Sequence, residues 1–335
     1  MQQYGCSELL DILVVGSGPA ALAALYEAKQ HGLHAVAIEK GPVCAALMHH
    51  PTYMRWFSTA DKLELAGFPL LTNEKNPTRR EYLRYCLAFV RHFSLDVVTY
   101  HTVTAVKQEA DTYFHIDAQD MYGRGTRWRA KNVVVATGFY DTPRPLGVPG
   151  EDLAKVTHRY TEAHPYAGQE VLVVGAGSSA VEVALELYRY GVNVTMAMRG
   201  GRFVTKYWLE PDIENRIKEG SITCYRHTEV REIRPDNVLL AGPDGATFTV
   251  PNDFVLAMTG YEPDTTLIER AGAVVDQESK KPHLTEYFES TVPGLYVAGT
   301  LCAGCDSNTV FVENSREHGP VIVQHICDKQ ATLHA

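Results

Sequence analysis

The sequence predicts an α/β protein built from two parallel-sheet domains, with the second inserted into the first. Two segments with the same pattern, beginning at Asp11 and Glu170, carry this prediction. Each is a short apolar strand, a glycine-rich turn, a helix with apolar residues at 3–4 spacing and a second strand, which together make a βαβ unit. Three further apolar strands end in glycine, at Gly138, Gly260 and Gly299, and they place the second unit between the two ends of the chain.

Length and composition place the chain among globular proteins. Its 335 residues suggest two or three domains, and 45% hydrophobic with 21% charged residues excludes a disordered or collagen-like chain. The net charge of −9 argues against a large basic surface that would bind a phosphate backbone, so we expect no nucleic-acid partner. No apolar run reaches the roughly 20 residues that cross a bilayer, and the N-terminus lacks a secretory pattern, so we expect no membrane partner.

The cysteines do not form the framework of a disulfide-stapled protein. Their number is odd and they are scattered: Cys6, Cys44, Cys86, Cys224, Cys302, Cys305 and Cys327. This distribution favours a cytoplasmic protein with mostly reduced thiols. One pair, Cys302 and Cys305, has the Cys-x-x-Cys spacing.

The first glycine turn has the residues of a diphosphate-binding loop. Its members are Gly16, Ser17, Gly18, Pro19 and Ala20. The first glycine allows a tight turn, the second lets the backbone approach a pyrophosphate, and the third small residue lets helix and strand pack closely. An ordinary tight turn is the alternative. The strand before the loop and the helix after it argue against that alternative.

The end of the next strand indicates which ligand each loop holds. In the first unit it carries Glu39, which lies 21 residues beyond Gly18 and can accept hydrogen bonds from ribose hydroxyls. In the second unit the loop contains Gly175, Gly177, Ser178, Ser179 and Ala180, and no acid follows the next strand. Arg199 and Arg202 stand there instead. Two guanidiniums suit a 2′-phosphate, which predicts NADPH rather than NADH, with solvated arginines as the alternative.

These features predict two Rossmann-like dinucleotide-binding domains, the second inserted into the first. Residues 1–150 are the first part of one domain, residues 151–262 are the inserted domain, and residues 263–335 complete the first. Glycine-rich and proline-rich stretches after Gly138 and Gly260 mark the two boundaries.

The chain resembles the flavoprotein oxidoreductases with two dinucleotide sites, in particular the low-molecular-weight thioredoxin-reductase-like group. In that family the first loop holds FAD and the second holds NADPH, so the resemblance implies these two cofactors. Ala136-Thr137-Gly138 and Met258-Thr259-Gly260 are similar to the family's two domain crossovers, and the segment 291–299 is similar to its late FAD motif. Thr300 stands where the family usually has Asp after that motif.

Within this group the chain resembles the bacillithiol disulfide reductases. The similar stretches are 38–41, 51–58, 147–153, 164–166, 252–254, 257–261 and 311–314. Ordinary thioredoxin reductases carry their redox cysteines just before the second glycine loop, and residues 155–169 contain none. The resemblance implies a cytoplasmic homo-oligomer, a dimer or tetramer, that uses NADPH and FAD to reduce the disulfide of a small thiol.

The resemblance also implies further contacts to the cofactors. We expect them at Lys40, Phe57, Ser58, Val103, Ala136, Thr137, Gly138, Gly260, Gly299 and Thr300. Ordinary packing is the alternative for Phe57, Ser58 and Val103.

The cysteine pair is the candidate catalytic group. Relatives often have a cysteine where this chain has Ala20, so that role does not carry over. In the family the late FAD motif leads into a helix whose N-terminus points at the flavin, and Cys302 and Cys305 follow this motif. Either they relay electrons to a substrate disulfide, with a thiolate stabilised by the helix, or they are spectators and the substrate meets the flavin directly.

Other functions stay open at this point. A buried, packed Cys302/Cys305 pair is the plain alternative to a redox pair, and a zinc site is not expected because it usually needs four ligands. A monooxygenase or a ferredoxin- or flavodoxin-NADP reductase would also use FAD and NADPH. A redox sensor without turnover is the non-enzymatic alternative.

Overall fold

The computed structural model describes residues 8–109, 112–306 and 309–334, and the chain forms two compact units. One unit contains the described residues within 1–48, 53–142 and 262–335, and the other contains 49–52 and 143–261. The predicted domains 1–150, 151–262 and 263–335 are defined by their cofactors and stay a prediction. Cys6 lies outside the described residues.

The strands are, in chain order, β1 Leu9–Val15, β2 Ala35–Ile38, β3 Val97–Val98, β4 His101–Gln108, β5 Phe114–Asp120, β6 Gly125–Val135, β7 Thr142–Pro143, β8 Val156–Thr157, β9 Glu170–Val174, β10 Asn193–Ala197, β11 Ile222–Tyr225, β12 Glu229–Ile233, β13 Asn237–Ala241, β14 Thr247–Pro251, β15 Phe254–Ala257, β16 Tyr261–Glu262 and β17 Leu295–Val297. The α-helices are α1 Pro19–Gln30, α2 Ala60–Leu63, α3 Arg79–His92, α4 Ser178–Arg189, α5 Glu210–Lys218, α6 Thr266–Arg270, α7 Val312–Ser315 and α8 His318–His334. Short 3₁₀ helices span Ala45–His49, His164–Tyr166 and Gly299–Ala303.

The first unit contains a mixed sheet. Its strand order is β3-β2-β1-β6-β5-β4, and β17 also pairs with β6. Strands β3, β2, β1, β6 and β17 are parallel, whereas β6, β5 and β4 pair antiparallel. Val15 lies opposite both Ile38 and Val135, and Val135 lies opposite Val297, so four parallel strands end at the same level.

The second unit contains a parallel sheet in the order β11-β10-β9-β15-β8. Val174 lies opposite both Ala197 and Ala257, so these strands also end together. Strands β12, β13 and β14 form a separate antiparallel sheet. The predicted α/β class is confirmed.

Both predicted loop helices form, and their ends follow the expected signals. Gly18 caps α1 and Pro19 occupies its first turn, where a missing N–H costs nothing. Gly177 caps α4 in the same extended conformation. The helices end just before Gly32 and Gly191, which adopt left-handed backbone angles of +69° and +73°.

The core of the first unit contains the interface between α1 and α8. Leu22 and Leu25 of α1 lie in one buried cluster with Ile322 and Ile326 of α8. The two helices approach closely at Gly319, where a Cβ atom would lie 2.5 Å from the backbone nitrogen of Ala24. Within the described ranges, no helix has the length and apolar character needed to cross a bilayer.

Gly319→Ala tests this helix contact, because two effects of opposite sign compete. Alanine favours an isolated helix over glycine by about 1 kcal/mol, but overpacking a close interface costs about 1–3 kcal/mol. We expect Gly319→Ala to lower the free energy of unfolding in a denaturant titration. Gln324→Ala, on the exposed face of α8, is the matched control and should change it little. A Gly319→Ala protein as stable as wild type would contradict the contact.

Candidate functional site

The matched ends of the parallel strands bring distant segments of the first unit to one edge of its sheet. The segments that follow β1, β2, β6 and β17 all begin at this carboxyl edge, which is where ligands bind in open α/β sheets. Three of the contacts between these segments involve glycines that the sequence predicts as site residues.

The tightest contact joins the first loop to the segment after β6. Gly16 has a backbone φ of +105°, and a Cβ atom there would lie only 2.6 Å from the carbonyl oxygen of Ala136. A Cβ on Gly299 would lie 3.3 Å from that of Ala20. The first loop, the segment after β6 and the end of the late motif therefore form one edge, and no side chain fits between the first two.

Thr300 lies beside the same crossover. Gly138 has a φ of +73°, and a Cβ there would lie 3.4 Å from the Thr300 hydroxyl oxygen. A hydroxyl therefore occupies the place where the resemblance implies a carboxylate. Thr137, which stands between Ala136 and Gly138 in the sequence, is half-buried.

Glu39 is the buried acid of this edge. Its Oε2 accepts hydrogen bonds from the backbone nitrogen and the hydroxyl of Ser17, both at 2.9 Å, and its Oε1 accepts one from Gly41 N at 3.0 Å. A buried carboxylate needs such donors. Because each carboxylate oxygen has further lone-pair capacity, this group can also accept hydrogen bonds from a ribose.

Cys44 supports the same network, although no sequence motif points to it. Its backbone nitrogen donates to the Ser17 hydroxyl and its thiol donates to the Ser17 carbonyl oxygen, both at 3.1 Å. A hydrogen bond with the Cys86 thiol and burial raise the pKa of the Cys44 thiol, so this group is a neutral donor.

The other predicted contacts of the first unit have protein partners or exposed positions. Lys40 pairs with Asp141 at 2.7 Å, and the Ser58 hydroxyl donates to the Glu313 carboxylate. Phe57 is 69% exposed. Val103 is half-buried and packs against a cluster that contains Val106 and Phe114, and its contact to a cofactor stays a prediction.

The second glycine loop repeats the close approach of the first. Gly175 has a φ of +139°, and a Cβ atom there would lie 2.4 Å from the carbonyl oxygen of Met258. Ser178 and Ser179 open α4, and Ala180 is buried beneath Gly175, whose Cβ would lie 3.3 Å from it. Gly260 is exposed, has a φ of +88°, and accepts a hydrogen bond from Arg144 N through its carbonyl.

Arg199 and Arg202 are exposed after β10. In the part of the chain that the structure describes, neither guanidinium has a hydrogen-bond or ion-pair partner. Both are available for an anion at the carboxyl edge of this second sheet.

Cys302 is buried rather than presented as a reactive thiol. It lies in the 3₁₀ helix Gly299–Ala303, is 7% exposed, and donates to the Val297 carbonyl oxygen at 3.2 Å. Burial raises its pKa to about 12. Desolvation therefore opposes the thiolate that the prediction places at a helix N-terminus, and this short turn does not offset it.

Cys305 is half-buried and its backbone nitrogen donates to the Ser279 carbonyl oxygen at 2.7 Å. Cys302 and Cys305 are both free thiols. Their redox role stays a prediction.

His318 joins the late motif to α8, and the sequence analysis missed it. Its Nδ1 accepts a hydrogen bond from Gly299 N at 3.2 Å and lies 3.8 Å from the Cys302 sulfur. The ring stacks on Phe288 with centroids 4.0 Å apart. Burial lowers the pKa of His318 to about 4, so the ring is neutral and Nε2 carries the proton. It stands at the first position of α8.

Most of the chain matches one family of known proteins. Residues 13–299 match the model of the pyridine nucleotide-disulphide oxidoreductases. The chain belongs to this family. The predicted class of enzyme, a flavoprotein oxidoreductase with FAD and a pyridine nucleotide as cofactors, is thereby confirmed.

Within this family, the chain is similar to reductases of bacilliredoxin and of bacillithiol disulfide. Bacilliredoxin reductase Bdr from Bacillus subtilis strain 168 is 34% identical over 321 residues, which cover 95% of this chain and 98% of that protein. The structure of bacillithiol disulfide reductase Bdr from Bacillus cereus has a TM-score of 0.93 at 34% identity, covering 96% of this chain and all of that chain. The Staphylococcus aureus enzyme of the same name gives 0.90 at 32% identity, covering 96% and 99%. The predicted resemblance to bacillithiol disulfide reductases is confirmed.

Alkylation rates test the burial of Cys302. A pKa of about 12 leaves about one thiol in 10,000 ionised at pH 8, and the thiolate is the nucleophile. We expect iodoacetamide to label Cys302 of the folded protein far more slowly than Cys305, as measured by peptide mass spectrometry. Guanidinium chloride should remove the difference. Labelling of Cys302 at least as fast as Cys305 in the folded protein would contradict the burial.

Proposed function

We propose that this protein uses NADPH and bound FAD to reduce the disulfide of a low-molecular-weight thiol of the bacillithiol type. The relatives named bacillithiol disulfide reductase support the substrate class. Their identity of 34% and 32%, against 26% for a ferredoxin-NADP reductase and 19% for a flavin monooxygenase, supports this function over a monooxygenase or a ferredoxin- or flavodoxin-NADP reductase. We further propose that both units are Rossmann-like dinucleotide-binding domains, the second inserted into the first.

The structural observation that supports dinucleotide binding in both units is the open space around Gly18 and Gly177. Both have ordinary backbone angles, with φ of −67° and −79°, and a Cβ on either would meet no protein atom within 4 Å. Neither strain nor packing therefore requires glycine at these two positions. Each is the N-cap of a 12-residue helix and makes no side-chain cap, so space and backbone N–H groups remain for a diphosphate.

The residues at the first edge fit FAD. The loop Gly16–Ala20 would hold the diphosphate and Glu39 the ribose, with the carboxylate fixed by Ser17, which Cys44 holds in turn. Contacts from Lys40, Phe57, Ser58, Val103, Ala136, Thr137, Gly138, Gly299 and Thr300 are part of the proposal. When bound, FAD supplies the transfer of two electrons from the pyridine nucleotide to a disulfide.

The residues at the second edge fit NADPH. The loop containing Gly175, Gly177, Ser178, Ser179 and Ala180 would hold its diphosphate, and Gly260 lies on the crossover behind it. Arg199 and Arg202 supply unpaired positive charge for a 2′-phosphate, which a carboxylate at this position would repel. This charge supports NADPH over NADH.

The environment of Cys302 bears on the two routes to the substrate. A neutral thiol that donates to Val297 is a poor nucleophile toward a disulfide. This burial supports the route in which the Cys302/Cys305 pair takes no part in turnover, and the assay below tests the relay directly.

We also propose a cytoplasmic homo-oligomer, a dimer or tetramer, that acts on a small-molecule disulfide and binds no nucleic acid. Six cysteines within the described ranges are free thiols, as expected in a reducing compartment.

Turnover measurements test the proposal. Purified protein loaded with FAD should oxidise NADPH rapidly only when bacillithiol disulfide is added, with cystine as the control disulfide. We expect Cys302→Ser and Cys305→Ser to retain activity within about twofold of wild type, because a relay needs a reactive thiolate and Cys302 is a buried thiol with a raised pKa. No turnover with any low-molecular-weight disulfide, despite bound FAD, would contradict the function and favour a redox sensor. Loss of turnover in both serine variants, with FAD retained, would instead support electron transfer through Cys302 and Cys305.

A further inference from the structure

The segment after β11 lies beside the predicted phosphate arginines. Strands β10 and β11 pair in parallel, with Ala197 opposite Tyr225, so the residues that follow each strand begin side by side. The sequence motif predicts phosphate contacts only from the segment after β10. Residues 226–228, which come more than 20 positions later, reach the same place.

His227 contacts the glycine turn between Arg199 and Arg202. Its backbone nitrogen donates to the Gly200 carbonyl oxygen at 3.2 Å. A Cβ atom on Gly201 would lie 2.5 Å from His227 Nε2 and 2.7 Å from its Cε1, so the imidazole lies directly against Gly201. The His227 backbone adopts a left-handed φ of +51°, a conformation in which histidine, asparagine and aspartate are enriched among residues other than glycine.

Arg226, the preceding residue, serves a different purpose. Its guanidinium donates to both carboxylate oxygens of Glu214 at 2.7 Å and to the Gly201 carbonyl oxygen at 2.7 Å. The charge of Arg226 is therefore balanced by Glu214, and the side chain holds the glycine turn in place. Arg226 is a structural anchor rather than a free cation.

The His227 ring differs from the Arg226 guanidinium because, among the described residues, it has no hydrogen-bond or ion-pair partner. Its side chain is exposed, like those of Arg199 and Arg202. Among the residues that the structure describes, none of these three side chains has a hydrogen-bond or ion-pair partner. Two exposed arginines thus flank the glycine turn in the sequence and His227 lies against it, so three residues that can donate to an anion meet there, in a protein whose net charge is −9.

We infer that His227 is a third ligand of the 2′-phosphate of NADPH and helps the protein to discriminate NADPH from NADH. This inference rests on the proposed use of NADPH. An imidazole Nε2–H donates a hydrogen bond to a phosphate oxygen, and a protonated imidazole adds positive charge. Because Gly201 has no side chain, the ring can lie close enough to share one phosphate with both arginines.

Binding of 2′,5′-ADP and 5′-AMP separates this role from a structural one. Both nucleotides carry the adenosine moiety, and only 2′,5′-ADP carries the 2′-phosphate. Affinities would be measured by calorimetry on the full-length protein loaded with FAD. We expect His227→Asn to raise the Kd for 2′,5′-ADP about tenfold, the loss of one charge-assisted hydrogen bond, and to leave the Kd for 5′-AMP unchanged.

Two matched variants sharpen the test. Asparagine tolerates the left-handed backbone of this position, so His227→Asn should fold. His227→Arg restores a donor with positive charge and should recover most of the lost affinity for 2′,5′-ADP. His283→Asn removes an exposed histidine of the other unit and should change neither affinity.

The outcomes distinguish the inference from the function on which it rests. Equal affinities of wild type and His227→Asn for 2′,5′-ADP, or an equal loss for both nucleotides, would overturn the role of His227 alone. Wild-type protein that binds 2′,5′-ADP no more tightly than 5′-AMP would overturn the assignment of NADPH, and the inference with it.

Discussion

Backbone lies directly against backbone at two glycines, and the rest of the candidate site depends on this contact. A side chain at Gly16 would overlap the Ala136 carbonyl, and one at Gly175 would overlap the Met258 carbonyl. In each unit the turn after the first strand can therefore lie against the neighbouring strand only because it has no side chain. This close approach brings the helix N-terminus and the ends of several parallel strands to one edge.

The two edges share this backbone and differ in charge. At the first, a buried carboxylate at Glu39 is held by donors from Ser17 and Gly41. At the second, exposed arginines at Arg199 and Arg202 have no partner in the described part of the chain. The same architecture therefore offers an acceptor for ribose hydroxyls in one unit and donors for a phosphate in the other. This difference in electrostatics supports the assignment of a different dinucleotide to each unit.

Much of this arrangement could be predicted from local sequence. The strand, glycine turn and helix of each βαβ unit, and the residues that follow the next strand, lie within about 30 positions of one another. Their register in the sheet follows from the buried apolar strands. Gly16, Glu39 and Arg199 could be identified for this reason.

The remaining residues could not be identified because they reach the edges from distant segments. Cys44 contacts Ser17 only because the chain turns back after β2, and His227 contacts Gly201 only because β11 pairs with β10. The burial of Cys302 could not be predicted for a related reason. The family resemblance implied a helix N-terminus beside the pair, but the chain forms a single 3₁₀ turn that buries the Cys302 thiol against Val297. Burial of a side chain depends on tertiary packing, which Cys-x-x-Cys spacing does not specify.

The FAD affinity of the Gly18→Ala apoprotein tests the central claim most directly. A Cβ on Gly18 meets no protein atom, so the variant should fold with a stability within about 1 kcal/mol of wild type, the difference between glycine and alanine as an N-cap. If the empty space is for a diphosphate, the methyl group should weaken FAD binding about tenfold or more in a fluorescence titration. Gly177→Ala, the equivalent change in the other unit, should bind FAD as wild type does. A folded Gly18→Ala protein with wild-type FAD affinity would contradict the account.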